Sequence, residues 1–253
     1  HGNRVGSHDI GVFSFGFGKS IYGLEGGMVT SNDPSFISKL KILTGPLPVA
    51  TRKDMFLKLG KAALLKALHY PPLYRLSIFP LICDYYVKNN KRFEKFFKPL
   101  IPDESIVPKH PGLKMTNLQA YLCRRQLKRL TSNNVSRMKI AKRLSEGLKH
   151  LTPLGSQLVL PAEYDDREDI SIHYAVSHSK IGEVQNLLLS QRIDVQNETA
   201  MDLTQLGKFN EWACGNFPNA RKLDRQLIFL PSSPNLSNKD INRIIYTIKR
   251  YCN

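Results

Sequence analysis

Two side chains with useful chemistry follow a short apolar stretch near the start of the chain. The run Ile10–Phe15 predicts a buried strand that carries Ser14 near its end, and a single lysine, Lys19, stands five residues after that serine. The glycines around Lys19 allow a backbone or a ligand to approach closely. A lysine held out of water can stay neutral and attack a carbonyl carbon to form a Schiff base. From the residues alone, a solvated loop lysine is the commoner interpretation.

The segments that follow this pair predict the first elements of an α/β protein. A glycine-rich stretch, residues 16–27, leads into a second short strand at Met28–Ser31. Asp33 and Pro34 are typical of a helix N-cap followed by proline at the first helical position, and the apolar spacing continues to about Leu43. The inward face of this helix is predicted to hold Phe36, Ile37, Leu40 and Leu43.

The middle of the chain is helical at both ends and irregular between them. Residues 54–69 predict a basic amphipathic helix, and residues 73–113 predict an irregular, aromatic segment interrupted by prolines. Thr116–Gln119 has the sequence of a capping box and opens a helical pattern that reaches Leu148. The polar run Thr131–Asn134 is a candidate kink or break in that helix.

After residue 153 the pattern changes to strands and helices in alternation. Ile170–Val176 alternates with period two, as a half-buried strand does, and Ile181–Gln191 has a helical pattern. Ile193–Val195 is a candidate strand, and Ser237 is predicted to cap a final helix. The inward residues of that helix are predicted to be Ile241, Ile244, Ile245 and Ile248. This order indicates an α/β fold with a boundary near residue 150.

Composition and charge limit the classes of protein that this chain can be. Its 253 residues, 42% of them hydrophobic, exclude a disordered, collagenous or disulfide-scaffold protein. No run reaches the roughly 18 apolar residues of a membrane span. The net charge of +16 is uneven: +1 over 1–45, +7 over 46–113, +9 over 114–150 and −1 over 151–253. Such a block indicates a surface that meets phosphate, acidic lipid or an acidic partner, although a solvated helix face is the commoner explanation.

The remaining reactive residue types give no second candidate site. The four cysteines are scattered, with no C-x-x-C and no histidine at ligand spacing, so we expect reduced thiols, a cytoplasmic location and no metal. Glu25 is expected to satisfy backbone N–H groups of the glycine-rich turn rather than act as an acid or base. Core or surface packing is expected for His69, His110, His150, His173, His178 and Trp212.

Three stretches of the sequence together resemble the DegT/DnrJ/EryC1/StrS family of pyridoxal-phosphate-dependent sugar aminotransferases. The first runs from Gly6 through Ser14 and Lys19 to Glu25-Gly26-Gly27-Met28-Val29 and Asn32-Asp33. The second is 115–130, which is similar to the family's interdomain helix. The third comprises Phe217-Pro218-Asn219-Ala220, Leu230-Pro231 and the terminal isoleucine-rich helix. Only about residues 46–110 lie outside the resemblance.

The resemblance implies both a fold and a function. The fold would be the C-terminal part of an aspartate-aminotransferase-like enzyme: the end of the large-domain sheet, the interdomain helix and a small α/β domain. Lys19 would hold pyridoxal 5'-phosphate as an internal aldimine and carry the proton during transfer. Ser14 would hydrogen-bond the cofactor phosphate. The amino donor would be glutamate, the acceptor a keto-sugar linked to a nucleotide, and the enzyme a homodimer.

Several positions depart from the family pattern. Gly16-Phe17-Gly18 replaces a polar trio, and Leu24 replaces the glycine before the glutamate. His110–Lys114 stands where the family carries a motif whose asparagine reaches the neighbouring subunit's cofactor; that position is Gly112, and only Lys114 keeps the charge. The family's sugar-contacting histidine segment is not recognisable near 196–206.

The resemblance also divides the chain into four segments. These are 1–45, a remnant of the cofactor-binding domain; 46–113, a basic helical and aromatic insertion; 114–150, the interdomain helix; and 151–253, the small domain. Family members have a further N-terminal half that completes the cofactor pocket. We therefore expect a fragment of a longer enzyme, a chain completed by another chain, or a degenerate homologue.

The insertion supports a second hypothesis. A basic amphipathic helix followed by aromatic residues can lie on an anionic membrane surface, whereas the alternative is an ordinary subdomain packed on itself or on a dimer mate. The rival function for the whole chain is a non-catalytic basic module that binds a membrane surface or nucleic acid. Because the charge lies away from the Lys19 motif, we expect no nucleic acid partner for the enzyme.

Overall fold

The computed structural model of the chain describes residues 10–90, 92, 112–151, 158–166, 169–195, 202–205, 209, 211 and 214–252. The described residues form two compact units. One lies within His1–Tyr70 and Val107–Asn133, and the other within Pro71–Ile106 and Asn134–Asn253. The four-segment division from the sequence stays a prediction.

The first unit contains a two-stranded antiparallel sheet and its flanking helices. Strand β1 (Ile10–Ser14) pairs with β2 (Gly27–Ser31), so that Ser14 lies opposite Gly27. Helices α1 (Pro34–Thr44) and α2 (Arg52–Leu68) follow, and the first half of α5 (Asn117–Leu148) completes the unit.

The second unit packs helices on a three-stranded antiparallel sheet of order β3-β4-β5. Its elements are α3 (Pro71–Leu76), α4 (Ile78–Tyr86), the remainder of α5, β3 (Leu158–Val159), β4 (Tyr174–His178), α6 (Ile181–Ser190), α7 (Pro218–Gln226), β5 (Leu227–Leu230) and α8 (Asn238–Cys252). Short 3₁₀ turns lie at Lys149–Leu151 and Leu203–Gln205.

The main hydrophobic core of the described chain lies in the second unit. It joins the inner face of α5 to β4, β5, α6 and α8. Side chains that are almost completely buried in it include Leu144, Leu148, Tyr174, Val176, Leu188, Ile228, Ile244 and Ile248. Burial of this kind is the dominant favourable term in folding, so this core fixes the second unit.

The helix ends predicted from local sequence signals are confirmed. The Asp33 carboxylate accepts a hydrogen bond from the Ser35 N–H at 2.8 Å, and Thr116 and Gln119 cap each other at the start of α5. Helix α8 begins after Ser237, and Ile241, Ile244 and Ile248 point inward with Ile245 partly buried. The helix continues through the polar run Thr131–Asn134, so the predicted break is absent.

Two predictions of burial in the first unit are wrong. Strand β1 was expected to be buried, but Val12 is 77% exposed and Ile10 is 50% exposed. In the described chain β1 pairs only with β2 in a two-stranded sheet, and the face of this sheet that carries Ile10 and Val12 is left uncovered. In α1, Phe36, Ile37 and Leu40 are partly buried, whereas Leu43 is exposed because it lies in the last turn, beyond the packed part of the helix.

Three predictions of local structure also need correction. The segment from residue 73 is helical as α3 and α4 to Tyr86; Pro71, Pro72 and Pro80 lie in first turns, where a missing N–H costs nothing. Strand β4 begins at Tyr174 rather than Ile170, since Ser171 has a left-handed backbone with φ 50°. Ile193–Val195 forms no strand; both end residues are buried in the core without strand pairing.

Candidate functional site

The loop between β1 and β2 forms a closed turn that carries the candidate site residues. The Phe15 N–H donates to the Gly26 carbonyl at 2.9 Å, and the Gly23 N–H donates to the Phe15 carbonyl at 2.9 Å. At Gly27 an added Cβ would lie 2.7 Å from the Phe13 carbonyl oxygen. The turn therefore needs the small residues that the sequence provides there.

The end of this loop has a left-handed backbone at three consecutive residues. The φ angles are 56° at Leu24, 74° at Glu25 and 101° at Gly26. A left-handed conformation costs a non-glycine residue roughly 1–2 kcal/mol. Leu24, which stands where the family pattern has glycine, is only 3% exposed, so burial of its side chain offsets that cost.

Helix α5 holds the loop from one side with two glutamines. The Gln126 amide donates to the Tyr22 carbonyl at 2.7 Å, and its oxygen accepts from the Tyr22 N–H at 3.0 Å. The Gln119 amide donates to the carbonyls of Leu24 at 3.1 Å and Glu25 at 3.2 Å. Hydrogen bonds from one face of α5 thus hold the backbone of Tyr22, Leu24 and Glu25 in the second half of the loop.

Between the two glutamines, Cys123 packs against the loop at Gly23. The thiol is 5% exposed, and burial raises its pKa, so it is a neutral packing group rather than a nucleophile. An added Cβ at Gly23 would lie 2.6 Å from the Cys123 Sγ. The close approach of helix and loop depends on the glycine at this point.

The structure places Ser14 and Lys19 on the same turn, with both side chains exposed. The Gly16 N–H donates to the Ser14 Oγ at 3.3 Å, and the Lys19 N–H donates to the Gly16 carbonyl at 3.3 Å. Schiff-base chemistry requires a lysine that is held out of water. The described residues alone leave Lys19 exposed. The roles of Ser14 and Lys19 stay predictions.

Two charged residues of the first unit, Glu25 and Lys114, have side-chain partners that the sequence did not indicate. Glu25, expected to satisfy backbone N–H groups, instead forms an ion pair with Lys58 of α2 at 2.5 Å, and its side chain is exposed. The Lys114 ammonium donates to the Gly45 carbonyl at 2.6 Å, just after the C-terminal end of α1, where a cation is favourable. Gly112, at the family's asparagine position, is exposed with no atom near its Cβ direction.

The other candidate residues lie elsewhere and pack as expected where they are described. His178 is buried, its Nδ1 accepts from the Lys180 N–H at 3.0 Å, and burial lowers its pKa. His173 lies against the Phe229 ring. The four cysteines are free thiols, and no metal-binding cluster occurs among the residues that the structure describes. His110, Trp212 and residues 196–201 lie outside them.

Sequence reasoning did not identify Gln119 and Gln126 as residues that position the loop. Their signal is present, because Gln119, Cys123 and Gln126 follow the i, i+4, i+7 spacing that places side chains on one helix face. Polar residues at such spacing beside a buried cysteine indicate a face that meets backbone. The sequence alone did not indicate that the backbone they bind belongs to the loop between β1 and β2.

Comparison with known proteins relates this arrangement to one enzyme family. The model of the DegT/DnrJ/EryC1/StrS aminotransferase family matches residues 1–53 and 103–249, more than half of the chain. A curated relative, the dTDP-3-amino-3,6-dideoxy-alpha-D-galactopyranose transaminase of Aneurinibacillus thermoaerophilus, is 23% identical over 163 residues. That alignment covers 64% of this chain and 40% of the relative.

Solved structures share the fold. DesV from S. venezuelae, determined in complex with a ketimine intermediate, superposes with a TM-score of 0.67 at 19% identity, covering 99% of this chain and 54% of DesV. Spr1654 from Streptococcus pneumoniae in its PLP form gives a TM-score of 0.60 at 19% identity, with 99% and 54% coverage. The chain thus spans about half the length of these relatives, and the predicted α/β fold class is confirmed.

Proposed function

The chain belongs to the DegT/DnrJ/EryC1/StrS aminotransferase family, and we propose that it carries the lysine of a sugar aminotransferase on the loop between β1 and β2. The single observation behind this proposal is the position of Lys19. It is exposed on a turn fixed by α5, five residues after a serine at the end of β1, inside the family-matched residues 1–53.

The residues of this turn fit pyridoxal phosphate by their chemistry. Lys19 supplies a primary amine, and the Ser14 hydroxyl accepts from the Gly16 N–H, so its own hydrogen is free to donate to a phosphate oxygen. No atom lies within 4 Å of the Cβ direction of Gly18, whose φ is 77°, so that side of the turn is open. When bound, the cofactor supplies an electron sink for charge that develops at the substrate carbon.

The chain's own residues then have separate roles in this proposal. Lys19 holds the cofactor, and its Nζ later moves the proton at the substrate carbon. Ser14 orients the phosphate. Gln119 and Gln126 are positioning residues, since they fix the loop backbone without reaching the reacting atoms.

The substrates follow from the relatives and belong to the proposal as well. The A. thermoaerophilus relative is named for a dTDP-linked amino sugar. We infer a nucleotide-linked keto-sugar as acceptor and glutamate as donor. A homodimer in the cytoplasm completes the proposal, and the four free thiols support a reducing location.

The test is to trap the cofactor on its lysine in the whole protein. Incubation with pyridoxal phosphate should give a visible absorbance that borohydride bleaches, and peptide mapping should then find the cofactor mass on the peptide that holds Lys19. Lys19→Ala should lose both signals, whereas Lys39→Ala, an exposed lysine of α1, should keep them. A colourless protein, or a label on another lysine, contradicts the proposal.

The substrate inference has its own assay. Glutamate labelled with ¹⁵N at its amino group should pass the label to a nucleotide-linked keto-sugar, as seen by a mass shift of the sugar product. Label transfer from another amino acid would replace the donor, and transfer only to free sugars would overturn the nucleotide-linked acceptor.

A further inference from the structure

The outward face of α2 is apolar. Phe56 is 74% exposed, Leu57 is 64% exposed and Leu64 is 59% exposed, and their spacing places them on one side of the helix. The small residues Gly60, Ala63 and Ala67 lie on the same side. Single exposed hydrophobic residues are ordinary, but a contiguous strip of them marks an interaction surface.

The opposite face of α2 already provides its attachment to the first unit. Met55 is buried there, with its sulfur 3.8 Å from the Thr116 hydroxyl, and Lys58 forms the ion pair with Glu25. The apolar residues of the outward face take no part in this attachment. The exposed strip is therefore available to a partner outside this unit.

Cations border the strip. Arg52, Lys53, Lys61 and Lys66 are exposed, and the one acid of α2, Asp54, is held in the capping box by Thr51. On a helical projection Arg52 and Lys61 lie at the two edges of the apolar strip, whereas Lys53 falls within its width at the N-terminal end of the helix. An apolar centre with cationic edges is the pattern of a helix that lies in the headgroup region of an anionic bilayer.

Most of α2 lies outside the residues that the family model matches. The matched residues stop at 53 and resume at 103, so this strip is not part of the evidence for the family. Among the described residues, no helix is both long and apolar enough to cross a bilayer.

From these observations we propose that α2 docks the protein on an anionic lipid surface. Phe56, Leu57 and Leu64 enter the boundary between headgroups and acyl chains. The bordering cations meet lipid phosphates, with Lys53 extending its long side chain toward the headgroups. This inference stands apart from the proposed transfer reaction, because none of these residues belongs to the loop between β1 and β2.

The test is cosedimentation of the full chain with vesicles. We expect binding to vesicles of phosphatidylcholine mixed with phosphatidylglycerol, none to phosphatidylcholine alone, and loss of binding at high salt. The double variant Lys53→Gln/Lys61→Gln should bind roughly 25-fold more weakly, since each cation near the surface is worth about a five-fold change. The double variant Phe56→Ser/Leu64→Ser should lower binding by at least about ten-fold.

Matched variants control for a general loss of charge or apolar surface. Tyr246→Ser and Lys239→Gln change exposed residues of α8 and should bind like the wild type. All these positions are exposed, and circular dichroism confirms that each variant is folded. A Phe56→Trp variant should gain fluorescence quenching by brominated lipid, which reports entry of α2 itself.

Three results would overturn the inference. The first is no binding to mixed vesicles at low salt, and the second is equal binding by the α2 variants and the α8 controls. The third is dissociation of an oligomer by Phe56→Ser/Leu64→Ser in sedimentation velocity, which would assign the strip to a second copy of the chain instead.

Discussion

Gly23 is a residue of the candidate loop at which an added side chain would clash with its neighbours. Its missing Cβ leaves room for the Cys123 sulfur, which would lie 2.6 Å from an added methyl group, and for Phe15 at 3.1 Å. Overpacking of this kind costs about 1–3 kcal/mol. We therefore expect Gly23→Ala to lower the free energy of unfolding by that amount in urea titrations.

A second glycine of the same unit controls for the loss of backbone freedom. Gly60→Ala, in the exposed face of α2 with open space at its Cβ direction, should stabilise the protein by about 0.5–1 kcal/mol. Cys123→Ala should restore part of the stability of Gly23→Ala, because it removes the clashing sulfur. If Gly23→Ala/Cys123→Ala is no more stable than Gly23→Ala, the contact with the sulfur does not cause the loss of stability.

Gln126 gives the second prediction at the scale of single residues. Its side-chain amide binds both the N–H and the carbonyl of Tyr22, and Gln126→Ala leaves both backbone groups without that partner. The expected cost is about 1–3 kcal/mol. The Tyr22 amide should also exchange its hydrogen faster by NMR, while the amide of Asp33, at the start of α1, stays unchanged. Equal exchange at both amides would show that Gln126 does not hold the loop.

At the scale of elements, the helix ends were the most predictable features. Asp33, Thr116–Gln119 and Ser237 each place an oxygen near free N–H groups, which is a local effect that three or four residues determine. The same rule would have moved the start of α2 from residue 54 to Arg52, since Thr51 and Asp54 form a capping box. Local signals of this kind need no knowledge of the rest of the chain.

The errors arose where an element depends on what lies beside it. Ile193 and Val195 have the apolar alternation of a strand, but they are buried without pairing. Val12 lies in an apolar run but is exposed. Burial of a strand needs other residues that pack over it, and the pattern of the strand's own residues does not show whether they are present. At the site, Ser14 and Lys19 were identified from spacing and resemblance. That α5 binds the loop that carries Lys19 could be seen only in the structure, because the two segments are distant in sequence.

The N-terminal cap of α8 gives a prediction at this scale. The Asp240 carboxylate accepts hydrogen bonds from the Ser237 hydroxyl and N–H, and these bonds hold its pKa below the usual 3.8. A carboxyl whose pKa is lower in the folded protein stabilises it above the ordinary pKa and loses that effect as the pH falls. The stability gap between wild type and Asp240→Asn should therefore be constant near neutral pH and close below pH 3.8.

Removal of the partner hydroxyl tests the same cap independently of pH. Ser237→Ala should cost about 1 kcal/mol in thermal or urea unfolding at neutral pH. Ser190→Ala, which alters a hydroxyl at the C-terminal end of α6, serves as the control and should cost less. If the difference in the free energy of unfolding between wild type and Asp240→Asn does not change with pH, the hydrogen bonds between Asp240 and Ser237 do not form in solution.

At the scale of the whole molecule, charge and burial are distributed in opposite ways. The excess positive charge lies between residues 46 and 150, whereas the largest core is formed mainly by segments after residue 140. The first unit buries few large side chains in the described chain, among them Ile21, Leu24 and Met55. Its stability therefore rests on the loop's hydrogen bonds and on α5 more than on a core of its own.

This contrast predicts unequal protection across the molecule. A two-stranded sheet is marginally stable by itself, whereas a three-stranded sheet packed on helices is not. Hydrogen exchange followed by mass spectrometry should show the amides of β4, β5 and α8 exchanging at least about ten-fold more slowly than those of β1 and β2. Leu188→Ala, which empties part of the core, should cost about 2–5 kcal/mol and speed exchange in β4, β5 and α8 together. Exchange in β1 and β2 should stay as it was, and a uniform change across both sheets would show that the two units unfold as one.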